Sequence, residues 1–179
     1  NIGRLQENHR VIHPESAEQF ALMLSPLLGL PLARLPEELV ESVRVIFEER
    51  TLISDCRVLV VDDDMRNIFA LTVMLEDHGL VVAHASNGMD AIEMLKRDHE
   101  FDLVFMDIMM PEMDGFETMR RIREFDTRLP IIALTAKAMP GDREECLQAG
   151  ATDYMSKPIV EDERVLDTIR RNAVRVRTG

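Results

Sequence analysis

An α/β fold, with a doubly wound five-stranded parallel sheet preceded by a helical N-terminal segment, is what this sequence predicts, and three observations carry the prediction. From Asp55 onward, five short runs of β-branched and apolar residues alternate with five stretches of helical periodicity. Each run is bounded by Gly, Pro or polar residues, and the intervals between runs hold the right-handed crossovers that parallel neighbours require. Charged and hydroxylic residues collect where the runs end, as binding groups do at the carboxyl ends of strands in such sheets.

Before Asp55, "ESAEQFALMLSPLLG" and "PEELVESVRVIFEERT" both read as helices. The second carries Leu39, Val43, Ile46 and Phe47 on one stripe, with Pro36 at its start. The first strand is "RVLVV" (57–61). A helix follows from Asn67 to Asp77, where Ile68, Leu71 and Leu75 recur at helical spacing and Gly79 supplies the stop. "LVVAH" (80–84) is the second strand, and Asn87 and Gly88 open a helix whose Ala91, Ile92 and Leu95 face one way. "DLVFM" (102–106), "PIIALT" (130–135) and "TDYMS" (152–156) complete the strands. Helices at 116–124 and 141–148 separate them, and one at 161–176 follows.

The chain has 179 residues, 46% hydrophobic and 30% charged, with a net charge of −12. That composition suits a globular domain large enough to bury a core. Acidic residues outnumber basic ones by 25 to 16 from Asp55 onward and by 8 to 5 before it, which argues against nucleic acid as a direct partner. Cys56 and Cys146 have neither metal-ligand nor redox-pair spacing, and read as free buried thiols in a reducing compartment. No apolar run approaches the roughly 20 residues that span a bilayer and no signal peptide is visible, so a cytoplasmic protein without direct membrane contact is expected. The start on Asn1 suggests a fragment or processed product. Walker A, GxGxxG, HExxH and GxSxG motifs are absent from the sequence. His9 and His13 are four apart, but Pro14 follows at once and no carboxylate completes a site; Arg164, Arg170, Arg171, Arg175 and Arg177 read as a solvated helix end, where cations suit the dipole.

The strand ends carry the chemistry. Asp62, Asp63 and Asp64 close the first strand, Asp107 in "FMDIMMPEMDG" closes the third, Thr135 closes the fourth, and Lys157 and Pro158 follow the fifth. In a doubly wound sheet these ends converge, so Asp62, Asp63, Asp107, Thr135 and Lys157 share one crevice. Gathered carboxylates raise one another's pKa unless something positive joins them. A hard divalent cation is the natural occupant, and Mg²⁺ takes one or two carboxylates, waters and a phosphate oxygen. Lys157 adds a fixed positive charge and Thr135 a hydroxyl, both suited to phosphoryl oxygens. Asp107 remains as a nucleophile able to accept a phosphoryl group as an acyl phosphate.

In order and separation, "VLVVDDD", "DLVFMDIMMPEMDG", "IIALTA" and "DYMSKP" resemble the receiver domain of two-component response regulators, over about residues 55 to 177. The resemblance implies a flavodoxin-like sheet in the order 2-1-3-4-5. It also implies Asp107 as phosphoacceptor, Asp63 as a direct Mg²⁺ ligand, Asp62 holding the metal through water, and the Met109 backbone carbonyl completing the protein ligands with Asp107. Mn²⁺ could substitute. Thr135 would turn toward the phosphoryl group, Tyr154 would swing inward behind it, and Lys157 would hold a phosphoryl oxygen beside a cis bond to Pro158. Asp64 has no family role and equally suits a helix N-cap. The implied donor is a phosphohistidine-bearing kinase or phosphotransfer domain. The module would catalyse its own phosphorylation and dephosphorylation without being a conventional enzyme.

Receivers carrying "DDDMRNIFALT" and "ALTAKAMPGDREECLQAGATDYMSKPI" look most like those fused in hybrid sensor histidine kinases. Residues 1–54 are therefore expected to be a helical linker or the remnant of a preceding domain, and 55–179 the receiver, with neighbouring domains of the same chain as possible partners. A phospho-accepting histidine box, kinase ATP-binding glycines and a following output domain are not seen, so the expected output is a change of surface that a partner reads. Two other readings compete. A pseudo-receiver scaffold is opposed by the complete acidic set. An aspartate-based phosphatase of the haloacid dehalogenase kind matches the spacing of Asp62 and Asp64, but Arg66 stands where a small hydroxylic or β-branched residue is expected. Met109, apolar and two residues past Asp107, is expected to hinder attacking water and lengthen the phosphorylated state.

Overall fold

The structure, a computed structural model, describes residues 53–98, 100–136, 141–159 and 161–173. The chain divides into units Asn1–Thr51 and Leu52–Gly179, and every described residue belongs to the second. The two N-terminal helices expected from sequence, with His9 and His13, lie outside the described residues, as do Arg175 and Arg177.

Strands and helices alternate throughout: β1 (Arg57–Val61), α1 (Met65–Asp77), β2 (Val81–Ala85), α2 (Gly88–Arg97), β3 (Leu103–Asp107), α3 (Gly115–Arg123), β4 (Ile131–Thr135), α4 (Asp142–Gln148), β5 (Asp153–Ser156) and α5 (Asp162–Asn172). All the strand pairings are parallel and the sheet order is β2-β1-β3-β4-β5, the order expected. Element edges differ from the periodicity reading by a residue or two. The first helix begins at Met65 rather than Asn67 because the Asp64 side chain accepts from the Arg66 N–H and caps it. Asn87 and Asp114 cap α2 and α3 in the same way, accepting from Asp90 and Glu117. The last helix ends at Asn172, where sequence extended it to 176.

Burial follows the two-residue period of strands buried on both faces. Val58 and Val60 of β1, Leu103 and Phe105 of β3, and Ile132 and Leu134 of β4 pack with Ile68, Leu71 and Leu75 of α1 and Val165, Leu166 and Ile169 of α5. Their alternates, Leu59, Val61, Val104, Met106, Ile131 and Ala133, pack with Ala91, Ile92 and Leu95 of α2 and Met119 and Ile122 of α3. Cys56 and Cys146 are both buried and form no disulfide, and burial, then the nearby Asp142 and Glu145, push the Cys146 thiol up. No helix among the described residues is long and apolar enough to cross a membrane.

The close of β3 is fixed by a backbone contact. Gly115, first residue of α3, donates its N–H to the Ile108 carbonyl at 3.0 Å. A Cβ there would collide with the Asp107 carbonyl oxygen and lie 2.8 Å from the Ile108 Cα. Both obstacles are main chain and cannot swing aside, so glycine is what lets α3 approach Asp107. Gly115→Ala is expected to lower stability by about 2 kcal/mol, the usual range for overpacking. Urea unfolding of the variant beside the parent checks this, and an unchanged midpoint refutes it.

Candidate functional site

Strand register sets the site. Val61 of β1 pairs with Met106 of β3, so the next residues, Asp62 and Asp107, emerge side by side. Thr135 of β4 pairs with Ser156 of β5, which places Lys157 one step beyond, and the Lys157 N–H donates to the Thr135 carbonyl at 2.7 Å. The Lys157–Pro158 bond is cis.

Within that frame Asp62 and Asp107 are buried, at 1% and 4% exposure, while Asp63 faces solvent. Each of the three offers a carboxylate oxygen within 4.8 Å of the others. Lys157 reaches into the group, its Nζ 2.6 Å from Asp62 Oδ2 and 3.0 Å from Asp107 Oδ1. Thr135 is buried beside them. Tyr154 is half-buried and packs against the core facing α2 and α3. A cavity of about 440 Å³ opens next to the cluster, between α1 and the segment after β5, with Asp62, Asn67, Leu71, Leu134, Lys157 and Ile159 among its walls.

Two supports were not read from sequence. Asn67, in the first turn of α1, donates its amide N–H groups to both Asp62 oxygens at 3.1 and 3.2 Å, and the Asp64 N–H donates to Asp62 Oδ1 at 2.9 Å. Asp62 is thus held by donors on the helix side as well as by Lys157. Nothing in the sequence distinguishes Asn67 from any polar residue in a first helical turn. Asp64, by contrast, turns away into its cap and pairs with the Arg66 guanidinium at 2.6 Å. The hydrogen bond from Arg66 holds its carboxyl low, at about 2. Asp64 is committed to the helix start, which leaves the Asp62 and Asp64 spacing without the shared site that a dehalogenase-like pair needs.

The electrostatics show a site short of positive charge. Burial raises the pKa of Asp107, and the Asp62 charge adds to this, against the opposing pull of Lys157 and the Met109 N–H. Burial works to lower Lys157, but its bonds to Asp62 and Asp107 outweigh it, and its pKa is raised. The donor set consists of hard carboxylate oxygens gathered at one opening, the chemistry that suits Mg²⁺.

The family model for the response regulator receiver domain matches residues 58–170. Histidine kinase 3 of Arabidopsis thaliana is 33% identical over 175 residues, covering 86% of this chain and 17% of that protein, so the chain spans about a sixth of the length of that relative. The receiver domain of sensor histidine kinase PA1611 from Pseudomonas aeruginosa, solved with a magnesium ion in its active-site cleft, shares 36% identity and superposes with a TM-score of 0.61 over 66% of this chain and 98% of that one. The receiver domain of Ssk1 from Saccharomyces cerevisiae, solved with the histidine phosphotransfer protein Ypd1, gives 28% identity and a TM-score of 0.63 over 68% and 90%.

A buried carboxyl with a raised pKa keeps its proton more readily folded than unfolded, so its contribution to stability is present in acid and lost as pH rises through the folded value. At neutral pH without divalent cations, ionised Asp107 is therefore a cost. Asp107→Asn is expected to melt higher than the parent in EDTA at pH 7 (roughly physiological), with the gap closing toward about pH 4. Equal or lower melting of the variant at neutral pH overturns this.

Proposed function

Since this chain belongs to the response regulator receiver domain family, the phosphoacceptor module of two-component phosphorelays, we propose that Asp107 is its phosphoacceptor and that Asp62, Asp63, Thr135 and Lys157 assist it. The observation that carries this reading is the gathering of three carboxylates at one opening, two of them on one ammonium, with Lys157 Nζ 2.6 Å from Asp62 Oδ2 and 3.0 Å from Asp107 Oδ1.

An Asp107 carboxylate oxygen attacks the phosphorus of a phosphohistidine, the P–N bond breaks, and the imidazole leaves with the electron pair. Lys157 moves from Asp107 to a phosphoryl oxygen, keeping its bond to Asp62, and so supplies charge where charge develops. The Thr135 hydroxyl donates to a second phosphoryl oxygen, and Tyr154 moves inward into the space Thr135 vacates. Asp62, Asp63, Asp107 and the Met109 carbonyl would hold Mg²⁺, and Mn²⁺ could take its place. A cation held there would supply positive charge to offset the carboxylates and the phosphoryl oxygens. Asn67 keeps Asp62 oriented. Water attacking the same phosphorus later returns Asp107 to its free form, so the module catalyses its own dephosphorylation.

The donor is a histidine kinase or a phosphotransfer domain, the class of partner seen with the Ssk1 receiver. The similarity to a histidine kinase and to a receiver domain of a sensor histidine kinase supports reading residues 55–179 as the receiver of a longer hybrid kinase, with 1–54 as a linker or the remnant of a preceding domain; a cytoplasmic setting is part of the same reading. The complete acidic set speaks against a pseudo-receiver.

Intact-protein mass after incubation with Mg²⁺ and acetyl phosphate tests the assignment. The parent is expected to gain one phosphoryl group, and Asp107→Asn none. Lys157→Met is expected to gain it about a hundredfold more slowly, in the range for removing a charge-stabilising donor, and Thr135→Ala more slowly than the parent but less severely. Uptake by Asp107→Asn equal to the parent, or no dependence on Mg²⁺, sinks the reading.

A further inference from the structure

Three neighbouring strands, β2, β1 and β3, are each followed within four residues by a methionine that is more than half exposed. Met89 is 57% exposed, Met65 57% and Met109 68%. The other described methionines are buried or half-buried, several of them in the core, where this residue type usually sits. The exposed thioethers are therefore not scattered; all three stand at the carboxyl edge of the sheet, on the side of the acidic cluster.

A thioether sulfur is a polarisable nucleophile, and exposure decides how fast an oxidant reaches it. The three are not equivalent. Met89 Sδ already accepts a long contact from the Arg121 guanidinium, 4.0 Å from Nη1. Met109 is the most exposed, and its own N–H donates to Asp107 Oδ1 at 3.3 Å, so its chemistry takes place two residues from the carboxylate.

We propose that Met109 is a modification site for peroxide-class oxidants, with Met65 and Met89 as slower members of the same rim, and that its sulfoxide shortens the life of a phosphoryl group on Asp107. The second part rests on the reading of Asp107 as acceptor. In the step, the sulfur lone pair attacks one oxygen of hydrogen peroxide, the S–O bond forms as the O–O bond breaks, and the departing hydroxide takes the remaining proton to leave as water. Sulfur loses two electrons and the peroxide gains them. An apolar side chain two residues past Asp107 becomes a polar one whose oxygen accepts hydrogen bonds and draws water toward the acceptor.

The test treats the full chain with hydrogen peroxide and follows each methionine by peptide mass over time. Met109 is expected to oxidise first and buried Met106 and Met119 last. Met109 reacting no faster than Met119 overturns the proposal. Phosphoryl lifetime is then measured on treated and untreated parent and on Met109→Leu, each against its own untreated sample. A several-fold shorter lifetime in the treated parent, with treated Met109→Leu unchanged, supports it. An unchanged parent, or an equal shortening in Met109→Leu, overturns the functional half. If the untreated chain takes up no phosphoryl group, the reading of Asp107 falls, while the peptide map still decides the modification site.

Discussion

One ammonium group facing two buried carboxylates is the constraint on which the site depends. Lys157 bonds to Asp62 and Asp107 at once, and neither carboxylate has comparable exposure to water as a substitute. The lysine is the member that cannot be spared, because removing it leaves both carboxylates charged, dry and without a counterion. The two anions still outweigh the one cation, and Asp63 adds a third charge at the opening. The folded chain thus carries an unmet demand for positive charge at one point, the electrostatic condition that suits a hard divalent cation.

The sheet creates this demand without any special local geometry. Parallel register brings Val61 against Met106 and Thr135 against Ser156, so four chain segments leave the sheet at the same level and deliver their next side chains to one place. Apolar residues fill both faces up to that level, and polarity begins where the strands end. Helix caps set the angles at which the segments turn away, with Asp64 and Asp114 spent on backbone N–H groups rather than on the site.

That division of labour explains which parts of the molecule could be read from sequence. Strand ends announce themselves, since a run such as "RVLVV" can be buried only if its charges lie beyond it, and Asp62, Asp63, Asp107, Thr135 and Lys157 follow from that rule. The role of Asp64 stayed open because capping and ligation ask for the same carboxylate, and only the Arg66 N–H and guanidinium contacts decide between them. Asn67 and Gly115 were missed for another reason. Their importance lies in what sits across from them, the Asp62 oxygens and the Asp107 carbonyl, and contacts between distant segments leave no local pattern. Helix edges moved for the same kind of reason, as a cap adds a turn that apolar spacing does not record.

Asp62 and Lys157 stand 95 residues apart along the chain and 2.6 Å apart in space. Between them run four of the sheet's strands and every crossover that joins them. A chain interrupted anywhere before its fifth strand presents its carboxylates without their counterion, and loops this long close late in folding. Whatever binds at the cluster therefore binds the finished fold alone and stabilises it by mass action, so occupancy of the site doubles as a readout of whether synthesis and folding have reached completion.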